Sequence, residues 1–346
     1  MKPDEFLRQA TALPGVTGNE RKVAEFIADA FRPYADTVEI NPLNCVIAHK
    51  KGPGPKVLIC AHLDEIGMMV SKMEEDGSLR LQSVGGVDPR VLPGMRVRVF
   101  AKGGVLPGVV GATPPHLLKD SERDSNYGFD SLFVDLGMPA AEIFRLVRPG
   151  DTVCFESRYV ELKNGRVATK TADDRACVAI MLGAAERLSK MSHQADLYFV
   201  ATCQEEIGSY GALTTGFSLA PDFGVAFDVC HEDTPGAPRL STSKIDSLVA
   251  SKGPFIHPYL EKKLEDVAKE NGVSLQVAIE PRATSTDADE LGITRAGVPT
   301  VLLSLPLKYM HTNVETFDMH ALNEGSRLLA HYLAAMDASW EDELWI

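Results

Sequence analysis

The stretch Lys56-Val57-Leu58-Ile59-Cys60-Ala61-His62-Leu63-Asp64-Glu65 joins a short apolar run to a polar cluster that begins with a histidine. Residues 56–60 predict a strand, and the cluster falls just beyond its carboxyl end. Four more polar clusters interrupt apolar segments: Ala172-Asp173-Asp174-Arg175, Gln204-Glu205-Glu206-Ile207-Gly208, Phe227-Asp228-Val229 and Tyr309-Met310-His311-Thr312. Several of the five lie at or just beyond the end of a predicted strand, which is where open α/β sheets place their ligand crevice.

Working outward, strands are expected at 197–203, 224–229, 275–279 and 299–303. They are interleaved with helices near 258–270 and 319–336 and with a helix after Asp174, whose apolar stripe is Cys177, Met181, Ala184 and Leu188. Such alternation predicts a three-layer α/β domain. Upstream, Thr17-Gly18-Asn19-Glu20 has capping-box spacing ahead of Val23, Phe26, Ile27 and Phe31. From about Gly67 the texture changes to short alternating runs such as Met95-Arg96-Val97-Arg98-Val99, separated by Gly85-Gly86, Pro93-Gly94 and Gly103-Gly104, with one helix expected near 140–147. The economical division is a discontinuous α/β domain of residues 1–66 plus 165–346, with a small β domain, 67–164, inserted into it.

The 346 residues are 45% hydrophobic and 24% charged, an ordinary globular composition. Lys plus Arg number 35 against 48 Asp plus Glu, a formal charge of −13 that argues against nucleic acid or an anionic bilayer as the main partner. No apolar run approaches the roughly 18 residues of a membrane span. Met1-Lys2-Pro3-Asp4-Glu5-Phe6 carries acids where a secretory signal needs a basic start. Cys45, Cys60, Cys154, Cys177, Cys203 and Cys230 are scattered without a CxxC pair, so buried reduced thiols in a cytoplasmic protein are expected, not a zinc ribbon or a disulfide scaffold.

Singly, each cluster has a structural explanation. His62 could be a hydrogen-bonded strand-end histidine, Asp173 or Asp174 a helix N-cap, and Glu205-Glu206 a solvated loop. Together, two histidines and three carboxylates make a ligand set for a pair of zinc-like ions. Alternation along a strand would let Asp64 accept a hydrogen bond from the free ring nitrogen of His62. Adjacent Glu205 and Glu206 should point differently, so that one can bind metal while the other acts as general base. Two divalent cations set against Asp173, Glu206, Asp228 and two neutral imidazoles would leave a small positive excess, which helps acidify a bound water. Asp88 and Arg90 lie in a turn that could reach the site, Asp287 either places substrate or belongs to a helix cap, and Tyr309 could line the pocket. His116 is expected to be structural or interfacial.

In this order, Ala61-His62-Leu63-Asp64-Glu65-Ile66-Gly67, Gly85-Gly86-Val87-Asp88, Asp173-Asp174-Arg175, Glu205-Glu206-Ile207-Gly208 with Gly211-Ala212, Asp233-Thr234-Pro235-Gly236, Thr286-Asp287-Ala288, and His311-Thr312 before Glu315 span nearly the whole chain. That set resembles the tetrahedral, or TET-type, co-catalytic metallo-aminopeptidases, typified by glutamyl and leucyl aminopeptidases, some of whose relatives are labelled endoglucanases. The resemblance implies a three-layer α/β metallopeptidase domain with an inserted β-barrel or PDZ-like dimerisation domain. It implies that His62, Asp173, Glu206, Asp228 and His311 bind two divalent metal ions, Zn²⁺, Co²⁺ or Mn²⁺, with Asp173 bridging. Glu205 would be general base and acid toward a bridging water, and Asp64 would orient His62. Short peptides would be the substrates, and dimers would build a dodecamer. Thr171-Ala172 and Cys177 depart from the usual pattern without removing a ligand. The rival expectations are an N-acyl amino acid deacylase using the same metals, a glycosidase, and a metal-stabilised assembly protein without turnover.

Overall fold

A computed structural model describes residues 1–118, 126, 128–156, 158–236 and 242–344. Helices α1 (Pro3–Ala10) and α2 (Arg21–Phe31) precede strands β1 (Thr37–Ile40), β2 (Val46–Lys50) and β3 (Lys56–His62). β3 extends past the expected Cys60, and its last six residues are all buried. A near-continuous apolar strand of this kind is what a sheet covered on both faces requires. The capping box does not form. α2 starts at Arg21 with no side-chain cap, because the Thr17 hydroxyl donates to Asp64 Oδ2 (2.7 Å) and Glu20 accepts from the Gly18 amide.

The chain then leaves this domain for β4 (Gly67–Met73), β5 (Leu79–Val84), β6 (Arg96–Ala101), β7 (Gly104–Ala112), β8 (Leu132–Asp135), α3 (Ala140–Leu146) and β9 (Thr152–Phe155). These six strands close into an antiparallel barrel in the order β4-β5-β8-β7-β6-β9. The barrel has a core of its own, including Met68, Val70, Leu81, Val99, Val134 and Phe155. β10 (Val160–Glu161) already pairs outside the barrel, with β11 (Arg166–Thr169).

After β11 come α4 (Ala172–Leu188), β12 (Asp196–Thr202), α5 (Tyr210–Leu219), β13 (Phe223–His231), β14 (Leu248–Lys252), α6 (Pro258–Glu270), β15 (Leu275–Ile279), α7 (Asp287–Ile293), β16 (Thr300–Leu307), β17 (Glu315–Asp318), α8 (Met319–Ala335) and α9 (Ser339–Glu343). The main sheet runs β1-β2-β12-β3-β13-β16-β14-β15, with β12, β3, β13 and β16 parallel at its centre. α4 packs with α8 and against β3 and β13, while α5 and α7 pack together against strands of the same sheet, completing the three layers. α4 is buried nearly all round instead of along one stripe, since α1, α8 and the sheet all lie against it. Five cysteines are buried, Cys230 is half-buried, and all six are free.

Register decides where the chemistry falls. Thr202 sits opposite His62, so Glu205 and Glu206 lie just past the same sheet edge. Asp228 is near the end of β13 and His311 follows β16, its parallel neighbour. A separate three-stranded sheet, β10-β11-β17, sets Thr169 opposite Glu315 and so brings the approach to α4 beside the residues that follow His311.

Candidate metal centre

The five clusters converge. His62 Nε2 lies 3.0 Å from Asp173 Oδ1, and His311 Nε2 lies 3.4 Å from Asp173 Oδ2 and 3.5 Å from Glu206 Oε2. The Asp173 carboxylate therefore stands between the two histidines, one oxygen toward each. Donor atoms of His62, Asp173 and Glu206 fall within 4.8 Å of one another, and so do those of His62, Asp174 and Asp228. All five expected ligands are brought together, and Asp174 joins them, which spacing alone did not indicate. Its Oδ2 accepts the His62 amide (3.2 Å), while its Oδ1 has no hydrogen-bond partner among the described residues.

The electrostatics favour a cation. Burial, reinforced by neighbouring carboxylates, pushes Asp174, Glu206 and Asp228 well above the usual carboxylate range. Asp173 is the exception: although burial acts upward, hydrogen bonds to His311 and His62 hold it low. Nearby Lys170 and Arg175 are buried too, but both are engaged by Glu65. Crowded buried carboxylates, two imidazoles and an unpartnered Asp174 oxygen fit oxygen- and nitrogen-seeking divalent ions.

Glu205 lies beside this set, with Oε2 3.9 Å from His62 Nε2. Burial, opposed by His62 and reinforced by Asp228 and Asp287, pushes its carboxyl up to about 9. It begins a one-turn helix, Glu205–Ile207, between Gln204 and Ser209, both of which have positive φ. The turn is held by Asp64: the Glu205 amide donates to Oδ1 (3.2 Å) and the Glu206 amide to Oδ2 (3.4 Å). The Asp64 carboxylate is 3.6 Å from His62 Nδ1, and its main-chain carbonyl is closer, at 3.2 Å.

Other singled-out residues divide. The 85–90 turn reaches the site through its backbone, the Gly86 carbonyl facing His311 Nδ1 at 3.1 Å, and a Cβ on Gly86 would come within 2.6 Å of that nitrogen. Asp88 and Arg90 pair with each other on the surface. Thr286 is the α7 cap, whereas Asp287 is buried, takes a hydrogen bond from the Thr202 hydroxyl, and is raised to about 6 by burial. Tyr309 is exposed beside the site, His116 is exposed on the barrel, and Cys177 donates to the Asp228 carbonyl. Glu315 had no assigned role, and the structure places it beneath two ligands. A narrow crevice at the site runs between Ile66 and Phe155 at the barrel end and Asp173, Glu206 and Thr312. A larger cavity of about 580 Å³ lies on the barrel, lined by Ser71, Arg80 and Phe129 among others, and contains none of the ligands.

The chain is similar in sequence and in fold to known proteins. The profile of the M42 glutamyl aminopeptidases matches residues 44–328. The chain is 37% identical over 336 residues to the lysyl aminopeptidase of Pyrococcus furiosus, covering 94% of each sequence. Among solved structures, it is similar to a TET aminopeptidase from a marine sediment thaumarchaeote (TM-score 0.94, 28% identity, 99% of this chain and 98% of that one). It is also similar to a Pyrococcus horikoshii TET1 peptidase described as assembling into a tetrahedron or a large octahedral shell (TM-score 0.84, 29% identity, 97% and 100% covered).

Proposed function

The chain belongs to the M42 glutamyl aminopeptidase family and is a metal-dependent aminopeptidase, and from that premise we propose that it removes N-terminal residues from short peptides with Glu205 as general base and acid. His62, Asp173, Glu206, Asp228 and His311 would hold two divalent ions of the Zn²⁺, Co²⁺ or Mn²⁺ type, with Asp173 shared. The observation that carries this reading is the Asp173 carboxylate, which offers one oxygen toward His62 and the other toward His311. When bound, the ions supply Lewis acidity toward the scissile carbonyl and lower the pKa of water.

The protein's own groups do the rest. With cations offsetting the burial and neighbouring carboxylates that raise it, Glu205 would be ionised, take a proton from the attacking water and return it to the leaving amine nitrogen, so one carboxylate serves both halves of the hydrolysis. Asp64 keeps Glu205 aimed by holding its amide. His62 and His311 are fixed at Nδ1 by the carbonyls of Asp64 and Gly86, which leaves Nε2 free in each to coordinate.

The test is turnover of lysyl, leucyl and glutamyl 4-nitroanilides with added Co²⁺ or Zn²⁺, before and after chelation, beside N-acetylated counterparts and β-glucan. Hydrolysis confined to free-amine substrates and abolished by chelation is expected. Preference for the acetylated series would mean a deacylase, cleavage of β-glucan a glycosidase, and inertness with metal bound an assembly protein. In Glu205→Gln, kcat should fall about 10²- to 10⁴-fold, with both metal equivalents retained.

We also propose a cytoplasmic dodecamer built from dimers through the barrel. A closed assembly is supported by the tetrahedron or octahedral shell described for the Pyrococcus horikoshii relative, and pairing through the barrel by the exposed Val105 and Val109 on β7. Sedimentation of the native protein distinguishes a dodecamer from a dimer.

A further inference from the structure

We infer that Glu315 is a positioning residue that fixes the spacing between Asp173 and His311, an inference that rests on the proposal that both are metal ligands. Glu315 is only 2% exposed, and its two oxygens serve two different parts of the chain. Oε2 accepts the Asp173 amide at 3.0 Å, and Oε1 accepts the His311 amide at 2.9 Å. Asp173 opens α4, whereas His311 stands in the turn after β16, 138 residues later. One carboxylate thus ties together the backbones of two segments whose side chains then meet, Asp173 Oδ2 to His311 Nε2, at 3.4 Å.

The fold delivers the carboxylate there by strand pairing. Glu315 begins β17 opposite Thr169, the last residue of β11, a short step before Asp173. His311 adopts a positive φ of 62°, a conformation that costs a non-glycine residue and persists only where its surroundings enforce it. The bond from its amide to Glu315 is such an enforcing contact.

A carboxylate suits this place for a reason of valence. Two amide donors converge on two acceptor oxygens, so one side chain satisfies two buried backbone N–H groups that would be costly to leave unpaired. Glutamine has one acceptor oxygen, and its NH₂ would face an amide N–H. Among the described residues Glu315 is a buried acid held by backbone amides and not by an ion pair, an arrangement that is costly unless its hydrogen bonds are needed.

Glu315→Gln tests this with inorganic Co²⁺ as probe and without substrate. Wild type should take up two equivalents. In the variant one of them should weaken about 10- to 100-fold, as loss of an outer partner of a ligand does, with an altered visible Co²⁺ spectrum. Excess Co²⁺ should then recover much of kcat. Crystal structures of metal-free wild type and variant should differ in the Asp173–His311 separation. Equal Co²⁺ affinities and spectra, or an unchanged separation, overturn the inference. If wild type takes up no Co²⁺, the functional reading fails instead, and the separation still decides the role of Glu315. Should Glu315→Gln not fold, Glu315→Asp carries the same expectation, since it keeps the charge but is one methylene too short to span both amides.

Discussion

Asp64 shows how a residue's work depends on where its strand stops. Alternation from His62 would aim its carboxylate at the imidazole, but β3 ends at His62 and the chain turns. The carboxylate stays 3.6 Å from His62 Nδ1, but it also lies under the Glu205–Glu206 turn and takes the Thr17 hydroxyl. Asp64→Asn keeps the volume, but its NH₂ must oppose one of those amides, so kcat/KM is expected to drop about 10- to 100-fold with metal content close to wild type. Unchanged kcat/KM with stoichiometric metal would contradict the assignment. Lys170 is a different kind of buried charge. It is 1% exposed and bonded to Glu65, whose other oxygen accepts the Gly15 amide and faces Arg175. Lys170→Met removes one partner and leaves the Glu65 charge under-compensated, at a cost of about 3–5 kcal/mol. Chemical denaturation of the metal-free protein reads this directly, and a loss under about 1 kcal/mol would mean that Arg175 alone suffices.

At the scale of elements, the Glu205–Ile207 turn is pinned from both sides, by Asp64 below and by α5 beyond it. The Gly211 amide donates to the Cys203 carbonyl (3.0 Å), and a Cβ there would lie 2.2 Å from that oxygen and 2.6 Å from the Cys203 nitrogen. Both obstacles are backbone, so Gly211→Ala must push α5 off the end of β12. A stability loss of about 1–3 kcal/mol is expected from such overpacking, with a fall in kcat, because the displaced segment runs straight into Glu205. A stable but fully active variant would show that α5 does not set the turn. The same region explains what the sequence concealed. Strands such as β3 and β12, with their clusters, were legible because apolar runs end abruptly in charge, and the barrel because glycine pairs punctuate its short runs, whereas β1, β2 and β14 of the same sheet as β3 carried no such signal. α5 was not, since Gly211, Thr214, Thr215 and Gly216 are weak helix formers and its place comes from close approach to a strand. Nor was the role of Glu315: the residue stands in the motif after His311, but its two hydrogen bonds join residues far apart in the chain, which no local pattern records.

Across the whole molecule, the proposed ligands come from positions 62, 173, 206, 228 and 311, so metal binding would tie β3, α4, the turn after β12, β13 and the turn after β16 into one unit. Without metal, the same place concentrates buried carboxylates whose mutual repulsion opposes the folded state, and only part of it is relieved by His62 and His311. Both effects have the same sign. A ligand that binds the folded chain alone stabilises it by RT ln(1 + [L]/Kd), about 4 kcal/mol at a thousandfold excess over Kd. The thermal midpoint of chelator-treated protein should therefore climb steadily with added Co²⁺ or Zn²⁺, and more steeply in wild type than in His311→Ala, which retains the His62 side of the cluster. The barrel, which has a separate core and contributes no proposed ligand, should gain less. Hydrogen exchange with and without Co²⁺ ought to show added protection concentrated at the carboxyl ends of β3, β12 and β13 and weak in β6 and β7. Equal protection throughout both parts would mean that metal acts on assembly of the whole particle, not on the site.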